Sequence, residues 1–99
     1  MRLSPTDIRA IRRTVAAAVG DAADVVLFGS RVDDSAKGGD IDLLVILDWT
    51  PANVPLTAAL LAAKLERVLR GRRVDVVIQT PESPSQPIYR TALRTGIVL

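Results

Sequence analysis

The stretch Gly39-Asp40-Ile41-Asp42-Leu43-Leu44-Val45-Ile46-Leu47 decides the fold. Its later residues form an apolar run without helical polarity, which reads as a strand buried on both faces. Two aspartates, Asp40 and Asp42, stand at its leading end. Side chains on a strand alternate between faces, so both carboxylates project the same way, with Cα atoms about 6.5 Å apart. Beside an apolar core two such groups repel each other and resist desolvation, and a shared cation relieves both problems.

On the N-terminal side, Val25-Val26-Leu27-Phe28 is a shorter apolar run bounded by Asp24 and Gly29, again a buried strand. Between the two strands, residues 29–39 are small, polar and charged, with a short helix opening near Ser30 as one possibility. Further upstream, Ser4 and Pro5 suit the cap and first position of a helix, and Asp7 suits the positive end of its dipole. Ile8, Ile11, Val15 and Val19 then recur at helical spacing up to the stop at Gly20, which predicts a helix over about 5–19.

On the C-terminal side, Asp48 to Pro55 reads as a loop whose Trp49 either packs down, the favoured role, or meets a ligand. Leu56 to Arg70 reads as a helix that buries Leu61, Leu65, Val68 and Leu69 and stops at Gly71. Leu56 and Leu60 widen its apolar surface beyond one stripe, which fits contact with another chain in a homo- or hetero-oligomer. Val74, Val76, Val77 and Ile78 make a third strand with Asp75 inside it. Pro81, Pro84 and Pro87 force an irregular connection to a last helix over Ile88 to Thr95. After Gly96, Ile97 to Leu99 is a brief strand or a packing tail. The expected architecture is an α/β (α+β) domain spanning 1–99, a small mixed β-sheet flanked by helices.

Composition narrows the chemistry. A chain that is 48% hydrophobic and 24% charged is outside the disordered class. It contains neither cysteine nor histidine, which removes disulfides, thiolate nucleophiles, the usual zinc ligands and imidazole acid/base catalysis. Carboxylates remain as metal ligands and proton acceptors, and hard divalent cations are their natural partners. No apolar run approaches the ~20 residues of a membrane span, and no signal peptide opens the chain, so the expectation is a soluble cytoplasmic protein. The net charge of +2 and 3% aromatic residues argue against strong nucleic-acid binding.

Asp75 is an odd residue inside an apolar strand unless that strand faces the same site as Asp40 and Asp42; the alternative is a pairing with Arg72 or Arg73. Three converging aspartates suit two Mg²⁺ ions in a phosphoryl transfer, with the third carboxylate accepting the nucleophile's proton. Gly29 permits close backbone approach and Ser30 adds a hydroxyl, a pairing that suits phosphate, although an ordinary turn uses the same residues. Arg31 and Lys37 are candidate charge clamps.

Taken in order, Leu27-Phe28-Gly29-Ser30-Arg31, then Gly39-Asp40-Ile41-Asp42-Leu43-Leu44-Val45, then Val74-Asp75-Val76-Val77 resemble the minimal nucleotidyltransferase (MNT) domains of the DNA polymerase beta superfamily. The resemblance implies a polymerase-beta-like nucleotidyltransferase fold. It implies that Gly29 and Ser30 hold nucleotide phosphates, that Asp40 and Asp42 ligate two Mg²⁺, and that Asp75 completes the triad beside an acceptor hydroxyl. ATP is the expected nucleotide. Two places depart from the family pattern, Gly39 where a serine often precedes the first aspartate and Asp33 where a basic residue is common. The chain's small size resembles the antitoxin half of modules paired with an all-helical HEPN ribonuclease toxin, which implies AMP transfer to a toxin tyrosine. Alternatives are a non-catalytic module that neutralises a partner by occlusion, and nucleotidyl transfer to a small molecule.

Overall fold

The computed structural model describes residues 3–28, 41–84 and 86–99 of the 99. Among the described residues, three helices and four strands follow one another as α1 (Pro5–Val19), β1 (Asp24–Phe28), β2 (Ile41–Ile46), α2 (Val54–Val68), β3 (Val74–Gln79), α3 (Pro87–Thr95) and β4 (Ile97–Val98). The strands form one mixed sheet in the order β3-β2-β1-β4. β1 runs antiparallel to both β2 and β4, while β2 and β3, joined through α2, are parallel. The C-terminal residues 97–98 are thus a short edge strand, with Val26 opposite Val98 and Leu27 opposite Ile97.

Alternation along the strands divides the apolar residues between two layers. Val25 and Leu27 of β1, Ile41, Leu43 and Val45 of β2, and Val74 and Ile78 of β3 face α1 and α2. They bury Ile11, Val15 and Val19 of α1 with Leu61, Leu65 and Leu69 at the α2 side. The opposite face is a smaller cluster of Val26, Leu44, Tyr89 and Ala92, supported by Phe28, Ile46 and Val77, where α3 covers part of the sheet. β2 is therefore apolar on both faces beyond Asp42, as its continuous run requires.

α2 begins two residues earlier than its Leu-rich stretch predicts. Asn53 accepts the Leu56 N–H at 3.0 Å as N-cap, and Pro55 sits in the first turn, where its missing N–H costs nothing. The loop after β2 is correspondingly shorter. Val68, expected in the core, is 42% exposed, and the buried stripe runs through Leu61, Leu65 and Leu69 instead. Leu56 and Leu60 are more than half exposed. Trp49 lies over the end of α1, its indole Nε1 donating to Val19 O at 3.3 Å.

Asp7 does more than complement a dipole. Its backbone N–H donates to Ser4 Oγ and its carboxylate accepts the Ser4 N–H, a reciprocal capping box. Arg70 and Arg72, from the turn after α2, each reach this buried carboxylate at 3.6 Å. The start of α1 is thereby tied to the turn that launches β3. In that turn Gly71 N–H bonds Glu66 O at 2.8 Å and Arg70 N–H bonds Arg67 O at 3.3 Å, the pairing of a Schellman stop. Arg70 takes the left-handed position, with φ of 60°, that glycine occupies more cheaply.

Two stability outcomes follow from these turns. Arg70→Gly relieves the left-handed strain while Arg72 keeps Asp7 paired, so urea denaturation should show a gain of about 0.5 kcal/mol. Gly96→Ala should lose about 1–3 kcal/mol in the same measurement. A Cβ at Gly96 would lie 2.4 Å from Ala92 O and 2.8 Å from Leu27 O, and backbone cannot move aside as a side-chain tip can.

Candidate active site

The parallel pairing of β2 with β3 sets Asp42 directly beside Asp75. Register partners on neighbouring strands point to the same face, with strands about 4.8 Å apart. Two aspartates 33 positions apart in the chain therefore share one end of the sheet. The half-buried Phe28 is Asp42's partner on the other side, across β1. The site thus lies on the face opposite α1 and α2, the face that α3 only partly covers.

This edge is built to hold its register. Ile41 N–H donates to Arg73 O at 2.9 Å, joining β2 to the start of β3 immediately before the two aspartates. Val74 N–H donates to Glu66 Oε2 at 3.0 Å, so a carboxylate from α2 satisfies a backbone donor at the beginning of the edge strand. With its neighbours Arg73 and Val74 held in this way, Asp75 has a fixed backbone and an exposed side chain.

The suggested alternative for Asp75, pairing with Arg72 or Arg73, does not occur: Arg72 is engaged by Asp7, and among the described residues Asp75 forms no ion pair. Asp42 is half-buried beside it. Two neighbouring carboxylates, one of them exposed, bring together hard oxygen donors of the kind that divalent cations prefer. Among the described residues no group of three acidic side chains gathers. Asp40, the remaining candidate ligand, lies outside the described residues, as do Gly29, Ser30, Arg31 and Lys37 and the departures at Asp33 and Gly39.

Sequence reading missed the rest of this face. Alternation from Asp75 carries through Val77 to Gln79, and beyond the strand Thr80 closes a tight turn through Ser83, whose Oγ accepts the Thr80 N–H at 2.9 Å. The period-two signal in Asp75, Val77 and Gln79 was visible, but nothing in it showed that α3 would fold back to wall that row. Among the described residues no helix is long and apolar enough to cross a membrane.

Comparison with known proteins identifies the family and the fold. A model of the nucleotidyltransferase domain family matches residues 8–98. No curated protein matches the chain significantly. Among solved structures, a toxin–antitoxin complex with AMP-PNP superposes with a TM-score of 0.69 at 22% identity, covering 97% of this chain and 72% of that one. A tri-AMPylated Shewanella oneidensis HEPN toxin in complex with an MNT antitoxin gives 0.66 at 22% identity, over 94% and 68% of the two chains. A mutant of the toxin–antitoxin pair MntA–HpeT gives 0.64 at 22% identity, over 97% and 71%; in it two aspartates, two positions apart, are changed to glutamate. At such identity the likeness establishes a shared fold.

Thermal melts with and without magnesium chloride test the paired carboxylates. Magnesium should raise the melting temperature of the native chain by mass action. Asp75→Asn should shrink that shift while leaving the metal-free melt unchanged or slightly higher, since it removes one of two adjacent like charges, a repulsion of about 0.2–1 kcal/mol.

Proposed function

Because the chain belongs to the nucleotidyltransferase domain family, we propose that it transfers AMP from ATP to a hydroxyl of a protein partner, a HEPN-type toxin, and so acts as an antitoxin. The observation that carries this reading is the side-by-side placement of Asp42 and Asp75 at an exposed sheet end. Further support comes from the fold shared with antitoxins in complexes that hold AMP-PNP or an AMPylated HEPN toxin. The two altered aspartates of the MntA–HpeT mutant also have the spacing of Asp40 and Asp42.

In this proposal Asp40, Asp42 and Asp75 hold two Mg²⁺ ions. Bound Mg²⁺ supplies charge neutralisation for the triphosphate and the departing pyrophosphate. Gly29 and Ser30 hold the phosphates through backbone amides and a hydroxyl, and Arg31 and Lys37 supply positive charge. Asp75, at the sheet edge, orients the acceptor hydroxyl and takes its proton as the oxygen attacks the α-phosphorus. One oxygen–phosphorus bond forms to the acceptor, the bond to the β-phosphate oxygen breaks, and pyrophosphate leaves with the bonding pair.

A second reading, neutralisation by occlusion alone, draws on Leu56 and Leu60, two large side chains exposed on one helix with the spacing of a contact stripe. One variant separates the two. Incubated with labelled ATP, Mg²⁺ and a HEPN-type toxin protein, the native chain should add AMP to that protein, seen as a mass increase on a hydroxyl residue. Asp42→Asn, nearly isosteric, should keep the fold and lower transfer about a hundredfold or more. Undiminished transfer by this variant overturns the active-site assignment, and neutralisation without any transfer favours occlusion.

A further inference from the structure

The sheet order divides the proposed site into two sides. β1, which leads in sequence into Gly29 and Ser30, lies on one side of β2, and β3 with Asp75 lies on the other. A triphosphate held on the β1 side leaves the β3 side to the acceptor. On that side a cavity of about 330 Å³ opens between the end of β3 and α3, lined among others by Gln79, Ser83, Gln86, Tyr89, Arg90 and Leu93.

Gln79 stands out within it. It shares a face with Asp75 four residues earlier on the strand, about 13 Å away at 3.3 Å per residue. Its Oε1 is buried and, among the described residues, has no hydrogen-bond partner. A buried amide oxygen left unpaired is costly and calls for a ligand or a function. A carboxamide offers one donor and one acceptor side by side, the complement of a peptide group. Among the described residues, the one ionised side chain lining the cavity is Arg90, which is exposed. Among the described residues β3 is an edge strand, so its outer side has no strand neighbour among them.

Resting on the protein-acceptor reading above, we propose that this cavity is the acceptor subsite and takes an extended, acidic polypeptide segment laid along β3. A residue at Asp75 presents the hydroxyl. Four positions along the same segment, a side chain on the same face enters the cavity, where the Gln79 carboxamide turns to pair with the segment's peptide group. Arg90 meets an acidic residue of the segment, and Leu93, 54% exposed, is covered by it.

The test is a split of steady-state constants measured with the HEPN-type acceptor protein and ATP. Gln79→Leu removes the unpaired amide at nearly constant volume, so its melting temperature should hold or rise. It should raise the acceptor KM about tenfold and leave the ATP KM unchanged. Arg90→Glu, on an exposed position, should raise the acceptor KM in the same sense. An acceptor KM unmoved by both variants overturns the subsite, and so does an equal rise in the ATP KM, which would assign the cavity to the nucleotide. A native chain that binds ATP with Mg²⁺ yet modifies no protein overturns the protein-acceptor reading itself, whereas transfer indifferent to Gln79 and Arg90 overturns only this inference.

Discussion

The proposed chemistry depends on one register, the parallel alignment of β2 with β3 that sets Asp42 beside Asp75. A slip of one residue would send Asp75 into the helix-covered face and bring Val76 out in its place. The apolar residues prevent it. Ile41, Leu43 and Val45 on β2 and Val74 and Ile78 on β3 are buried against α1 and α2, so a shift would expose or misplace several of them together. The ladder bond from Ile41 to Arg73 and the Glu66 carboxylate on Val74 hold the first residues of the pair in that alignment.

The helices serve this register in different ways. α2 is the crossover that makes β3 parallel to β2, and its closing turn delivers Arg70 and Arg72 to the Asp7 carboxylate at the start of α1. Both helices are thus joined at the point from which β3 departs. A buried carboxylate with cap donors and two guanidiniums is expensive to break, because removing its partners leaves a charge away from water. α3 instead covers only part of the other face, leaving one end of the sheet exposed at Asp75. The larger core cluster occupies one face, and the smaller cluster shares the other with the proposed chemistry and acceptor cavity.

Elements with strong local signals were legible in the chain. The strand cores and the 5–19 helix stand where apolar runs, spacing and caps indicate, because each is specified by residues a few positions apart. The start of α2 is hidden in the sequence because it is marked by Asn53 and Pro55, residues that equally describe a loop until the Asn53 side chain accepts the Leu56 N–H. Val68 lies outside the buried stripe for a reason the sequence hides: a helix rich in Leu and Ala has no sharp polar boundary to mark that stripe.

The sequence by itself determined the alternation that sends Asp42 and Asp75 out of the core layer and the absence of cysteine and histidine, which leaves carboxylates as the candidate ligands for hard cations. It also carried the ordered string that places the chain in its family. Only the tertiary structure decided that the two aspartates are neighbours, that Arg72 serves Asp7 rather than Asp75, and that Gln79 ends in a cavity walled by α3. The physical reason is range. Periodicity and capping act within a few residues, whereas strand pairing and ion pairs between elements join residues dozens of positions apart, and these are chosen by the joint burial of many side chains rather than by any local signal.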